Sequence, residues 1–148
     1  MKRPLIVSND ALPQPLHVLG ETVTMFGAED PSKAFEVHVQ EGVAGGGPPP
    51  HRHPWEEAFF ILEGEVEISC EGTSQVLAAG SFVQIPAGTT HAYTNVSERA
   101  KILAIVSDCR GGRLFETLNE HVKSMPEDAD ALVEHSAKLG VEFDLPSP

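Results

Sequence analysis

The chain has 148 residues, 41% hydrophobic and 22% charged, the proportions of one globular domain long enough to bury a core. Its 10 Lys and Arg against 22 Asp and Glu leave a net charge of −12, a field that repels phosphate backbones and anionic lipid. The expected partner is therefore a small neutral, aromatic or cationic molecule, with no nucleic acid and no membrane.

Met1–Arg3 is basic, but Pro4 and the short apolar stretch Leu5–Val7 do not make a leader, and no apolar run reaches membrane length. Cys70 and Cys109 are far apart and outside any CxxC, so free thiols in a cytoplasmic protein are expected. Strand patterning then runs from about Leu16 to Ser107. "ETVTMFG" (21–27) and "AFEVHVQEG" (34–42) are short and rich in β-branched or aromatic residues. "EAFFILEGEVEISCEG" (57–72) reads as two strands around Glu63-Gly64. After the turn, Val66, Ile68 and Cys70 alternate with Glu65, Glu67, Ser69 and Glu71, giving one buried and one wet face. Before it, Phe59 and Ile61 face one way and Phe60 and Leu62 the other, so a second sheet or another subunit must cover the outer side.

"SQVLAAGSFVQIPAG" (74–88), "HAYTNV" (91–96) and "KILAIVSD" (101–108) complete the pattern. Many short strands with Gly and Pro turns predict an all-β sandwich or small barrel over about 16–108. Gly111-Gly112 then reads as a hinge before a helix carrying Leu114, Phe115, Leu118 and Val122. Ser124 and Glu127 read as a capping box, with Pro126 in the first turn of a second helix. That helix should bury Ala129, Leu132, Val133 and Leu139 and stop at Gly140. The two short C-terminal helices, over about 111–140, are expected to pack outside the β-domain and complete a single domain, 1–148.

The chemistry gathers at "GGGPPPHRHPWEE" (45–57). In an extended chain, residues two apart face the same way about 6.6 Å apart, so His51 and His53 can converge on one ion while Arg52 points away. Glu57 shares their parity and Glu56 does not. A straight strand would put Glu57 roughly 13 Å beyond His53, so the chain must bend, and Pro54 is the residue to bend it. Gly45–Gly47 permit a sharp turn, and Pro48–Pro50 deliver the chain already extended. A fourth ligand is offered by His91, entering a strand just after the Pro86–Gly88 turn. Three imidazoles and a carboxylate suit one divalent transition metal (Fe, Mn, Ni, Cu or Zn) and leave coordination positions open.

Gly45-x5-His51-x-His53-x3-Glu57-x6-Gly64 and Gly80-x5-Pro86-x-Gly88-x2-His91-x3-Asn95 resemble both motifs of the cupin superfamily, with 15 residues between them as in its small single-domain members. Where many relatives carry an acidic residue after the first glycine of the second motif, this chain has Ser81. The resemblance covers roughly 34–107. It implies a double-stranded β-barrel of jelly-roll type, often a homodimer, with His51, His53, Glu57 and His91 as ligands of a metal inside. The C-terminal "HSAKLGVEFDLPSP" resembles tails of quercetin-dioxygenase-like cupins. That likeness implies a dioxygenase-like enzyme acting on a small aromatic or enolisable substrate, with Glu57 doubling as a base. A non-redox isomerase or lyase and a non-catalytic binding or storage module are the alternatives.

Other residues have open readings. Trp55 either lines the pocket mouth or covers a partner surface. Tyr93, in phase with His91, either donates a hydrogen bond into the barrel or packs in the core. Gln84 faces either cavity or solvent. Arg110 and Arg113 either meet an anionic substrate or solvate the hinge. Phe59 and Phe82 are expected in the core, Glu56 in solvent, and His17, His38, His121 and His135 in structural or solvated positions.

Overall fold

Alternation in short β-branched segments, interrupted by glycine and proline, yields antiparallel strands. The computed structural model describes residues 4–26 and 34–146, so residues 1–3, residues 27–33 with Gly27 of the first predicted strand, and residues 147–148 lie outside it. The strands are β1 (Leu16–Val18), β2 (Glu21–Phe26), β3 (Glu36–Gly42), β4 (His51–Arg52), β5 (Glu57–Glu63), β6 (Glu65–Cys70), β7 (Thr73–Ala78), β8 (Phe82–Ile85), β9 (His91–Asn95) and β10 (Ala100–Val106). Helices α1 (Arg110–His121) and α2 (Ala129–Ala137) follow, and a short β11 (Glu142–Phe143) returns to the sheet. Among the described residues, no helix is long and apolar enough to cross a membrane.

The strands form two sheets, ordered β1-β2-β3-β10-β5-β8 and β11-β4-β9-β6-β7. Their inner faces share one core: Phe59, Ile61, Ile85, Ile102 and Ala104 from the first sheet pack with Val66, Ile68 and Tyr93 from the second. This is the expected cupin-type jelly roll, with the barrel wall made of two facing sheets rather than one continuous ladder.

The helices pack onto the β-domain through a core cluster of their own. Leu114, Leu118 and Val122 of the α1 segment and Leu132 of α2 join Val18, Val23, Trp55 and Val106 in a second core cluster. They stop one end of the barrel because the strand residues there present apolar side chains with no sheet left to cover them. Nor do Gly111 and Gly112 form a hinge; they belong to the first turn of α1. They are small because the helix approaches β3 closely. The Gly112 N–H donates to Glu36 Oε2 at 2.6 Å, and a Cβ on Gly112 would lie 2.9 Å from both Glu36 carboxylate oxygens.

The capping box also differs. The N-cap of α2 is Asp128, so Pro126 precedes the helix. Ser124 Oγ donates to Glu127 at 2.7 Å, while the Asp128 carboxylate accepts the N–H groups of Lys123 and Ser124. Val133 is exposed, and the buried face of α2 runs through Leu132 and Ser136. Phe82 is exposed too, because the parity of β8 sends Val83 and Ile85 inward instead. Cys70 and Cys109 are free and partly buried.

The glycine-proline loop is pinned to β9. Gly45 N–H donates to Asn95 O at 2.8 Å and Asn95 N–H to Gly46 O at 2.9 Å. Gly47 has φ +130°, and a Cβ there would lie 2.2 Å from the Tyr93 carbonyl oxygen, whereas a Cβ on Gly45 would meet nothing within 4 Å. Gly45→Ala therefore carries backbone strain alone and should cost about 1–2 kcal/mol. Gly47→Ala adds a clash with main chain and should cost roughly 1–3 kcal/mol more. Urea unfolding of the two variants beside the parent measures the difference.

Candidate metal centre

β4 and β9 run antiparallel with His51 opposite His91, which brings the first and second motifs together. The chain then leaves the ladder: residues 53–56 belong to no strand, and β5 begins at Glu57. The bend expected at Pro54 is there, and it shortens the reach from His53 to Glu57. Gly88 N–H donates to the His53 carbonyl at 2.8 Å, fastening the turn of the second motif to the bend of the first.

Four predicted ligands meet as a result. Nitrogens of His51, His53 and His91 lie within 4.8 Å of one another, and all three residues are buried. Glu57 Oε2 lies 2.9 Å from His53 Nε2 and 3.1 Å from His91 Nε2. Glu56 stays exposed, with Oε1 accepting the Ala87 N–H at 3.2 Å. The carboxylate in parity with the histidines is the one that reaches them.

The other ring nitrogens orient the cluster. Nδ1 of His51, His53 and His91 lies 2.9, 3.0 and 2.9 Å from the carbonyl oxygens of Pro49, Trp55 and Thr89. A carbonyl only accepts, so each Nδ1 carries a hydrogen, and each Nε2 of a neutral ring carries a lone pair. Lone pairs and a carboxylate turned on one point repel one another unless something positive joins them. Either protons on imidazolium rings or a metal ion satisfies that need, and this donor set fits a divalent transition metal.

The electrostatics agree. Burial pulls the His51 imidazole from its ordinary 6.5 down to about 4, with neighbouring His91 acting in the same direction. Burial alone would raise the Glu57 carboxyl, but hydrogen bonds from His53 and His91 outweigh it and hold the group at about 2. Near neutral pH His51 is uncharged and Glu57 ionised, as coordination requires, and the bonds from His53 and His91 to Glu57 put protons where an ion would otherwise sit.

Aromatic rings brace the ligands. Trp55 stacks on His53 with centroids 4.5 Å apart and planes at 9°. It is buried beside the cavity rather than available to a partner. Arg110 lies over the Trp55 ring, 5.6 Å from its centroid, and pairs with Asp108 at 2.7 Å. Arg113 is exposed. Phe143 stacks on His51 at 5.1 Å, carried there by β11, which pairs with β4. Sequence reading missed β11; its only signal is the alternation of Val141, Glu142 and Phe143 after Gly140.

A cavity of about 60 Å³ opens beside the cluster, with Glu21, His38 and Gln40 of β2 and β3 on its wall and Leu114 and Phe115 of α1 against it. Tyr93 lines it as well: its hydroxyl donates to Gln40 Oε1 at 2.6 Å and lies 3.3 Å from Glu21 Oε2. Burial pushes the Glu21 carboxyl up to about 6, against the hydrogen bonds from Tyr93 and Asn95. Gln84 is not in the cavity. It is exposed opposite Ala58 on the outer face of the first sheet. His17 and His121 are exposed and His135 half-buried, as expected of solvated or structural residues. His38, read the same way, lies on the cavity wall.

Comparison with known proteins agrees with this geometry. Residues 36–106 match the family model described as the cupin domain. Quercetin 2,3-dioxygenase of Bacillus subtilis is 27% identical over 96 residues, 62% of this chain and 28% of that protein. An uncharacterized protein of Streptomyces coelicolor is 31% identical over 55 residues, 37% of this chain and 52% of that one. The chain thus spans between about a quarter and a half of these curated relatives. Among solved structures, an RmlC-like cupin from Shewanella frigidimarina superposes with a TM-score of 0.63 at 17% identity, covering 76% of this chain and 99% of that one. That degree of likeness speaks for the fold alone. Both motifs stand on a two-sheet jelly roll, and residues 36–106 of this chain form a cupin domain.

Proposed function

We propose that the protein is a metal-dependent, dioxygenase-like enzyme acting on a compact enolisable or aromatic molecule, with His51, His53, His91 and Glu57 holding one divalent transition metal. The observation that carries this reading is the set of three Nδ1–carbonyl bonds, which leave three Nε2 atoms for one ion. Such an ion, when bound, supplies Lewis acidity and, if redox-active, a route for an electron-rich substrate to meet dioxygen. The chain's own residues orient the ligands, exclude bulk water with Trp55, Phe143 and α1, and limit the substrate's size. The likeness to the Bacillus dioxygenase supports the reaction class, and the 60 Å³ cavity favours a small diketone over a flavonol. The free thiols Cys70 and Cys109 are in keeping with a cytoplasmic enzyme.

A non-redox lyase or isomerase uses the same site without oxygen. Fe(II)-, Mn(II)- or Ni(II)-loaded protein should consume oxygen with 2,4-pentanedione faster than with quercetin, while the Zn(II) form stays inert. Turnover by the Zn(II) form without oxygen would instead favour the non-redox reading.

Metal content checks the ligand set. Protein purified without added metal should carry one transition metal per chain by elemental analysis, and His51→Ala, His53→Ala, His91→Ala and Glu57→Ala should each lose most of it. Because the folded His51 pKa is depressed to about 4 from 6.5, the unfolded chain binds more protons between those values. Stability contributed by the neutral ring is therefore complete above 6.5 and is lost as pH falls towards 4. Chelator should lower the melting temperature at pH 7, and acidification from pH 7 to 5 should release the ion.

We also propose a homodimer through the outer face of the first sheet. Phe60, Leu62, Phe82 and Ile105 are 41%, 44%, 63% and 42% exposed there. Phe60 sits opposite both Phe82 and Leu103, so the exposed side chains form one patch. Phe82→Asp should convert a dimer to a monomer in light scattering without loss of bound metal. A monomeric parent protein would remove this part of the proposal.

A further inference from the structure

His38 sits within β3, 1% exposed, and neither of its ring nitrogens has a hydrogen-bond partner among the described residues. A buried polar group left in that state is costly, and in a native protein it is met from outside the chain, by a water or a ligand. Its surroundings show where such a partner enters. The residues opposite it on the neighbouring strands, Met25 and Ala104, are apolar. Phe115 of α1 meets the ring edge-on at 5.0 Å. Gln40, next on the same face of β3, already accepts from Tyr93. Glu36 Oε2 lies 3.4 Å from Nε2, near enough for its charge to act, and its carboxylate is held in place by the Gly112 N–H. The remaining side is the cavity, which His38 shares with His51, His53 and Glu57.

We propose that His38 is a catalytic residue: it removes the acidic proton of a compact two-oxygen substrate, a 1,3-dicarbonyl or similar enol, whose oxygens lie towards the metal centre. This rests on the reading of His51, His53, His91 and Glu57 as a metal site. In the step, one proton passes from the substrate to the lone pair of a His38 ring nitrogen. The electron pair stays on the substrate as the enolate, no other bond changes, and the Glu36 carboxylate balances the imidazolium that forms. Glu57 is assigned instead to the ion, together with the three histidines it faces. General bases positioned in this way contribute about 10²–10⁴-fold.

The test uses the Zn(II)-loaded protein, in which no oxidation occurs, and 2,4-pentanedione as the probe. The parent protein should convert bound diketone to its enolate, read by ultraviolet difference spectra, while the ¹⁵N resonances of His38 shift to those of an imidazolium. His38→Gln and His38→Phe should keep one metal per chain and a cooperative melting transition. Both should lose the enolate signal, and oxygen consumption by their Fe(II) forms should fall about 100-fold in kcat/KM. Full enolate formation in either variant overturns the role of His38, as does a parent protein that binds metal but forms no enolate. A parent protein that fails to bind metal overturns the metal reading and this one with it, and elemental analysis tells that case from the others.

Discussion

Three hydrogen bonds from imidazole Nδ1 to main-chain oxygen organise this protein. The carbonyls of Pro49, Trp55 and Thr89 each lie two residues from the histidine they orient, just outside a regular strand. A carbonyl inside a ladder is committed to the neighbouring strand. These are free to accept because the chain leaves the ladder at both motifs. Proline produces that departure: Pro48–Pro50 precede His51, Pro54 follows His53, and Pro86 opens the turn before His91. Lacking an N–H, proline cannot extend a ladder, so the residues that interrupt the sheet also make its side chains usable as ligands. Flexible glycine beside stiff proline has the same logic. Gly47 lets the loop press against the Tyr93 carbonyl, and the prolines then fix the direction in which His51 arrives.

The convergence of His51, His53, His91 and Glu57 was legible because strand parity and motif spacing act over short distances. His51, His53 and Glu57 needed only a period of two and one bend, and His91 only a turn that enters the facing strand. Residues that depend on which face of a strand turns inward were not legible. "EVHVQ" reads as a half-buried strand, and the usual assignment puts valines in and polar residues out. Here Glu36, His38 and Gln40 are 4%, 1% and 5% exposed, while Val37 and Val39 lie on the outer side. The first sheet is apolar on both faces near β5 and polar within near β3, so burial cannot be read from hydropathy alone. Gln84 and Phe82 misled for the same reason.

Long-range placement was hidden as well. The apolar periodicity of α1 was plain, but its docking site was not, because the barrel end it fills is built from Val18, Val23, Trp55 and Val106, widely separated in sequence. Phe143 reaches His51 only because two residues of the tail add a strand to the edge of the second sheet. Two residues carry almost no propensity signal, and only their tertiary pairing makes them a strand.

These placements meet at one carboxylate. Glu36 accepts the Gly112 N–H at the start of α1 and lies beside His38 on the cavity wall. The helix that closes the barrel is thus joined through one side chain to the polar group facing the site. A helix N-terminus favours negative charge, so the Glu36 carboxylate and the first turn of α1 suit one another. Gly111 and Gly112 allow this contact: with larger residues the helix would stand further off, the carboxylate would lose its donor, and the imidazole would lose its neighbouring charge. Closure of the barrel and the polarity of its interior are therefore one structural requirement, met by a pair of glycines opposite a single acid.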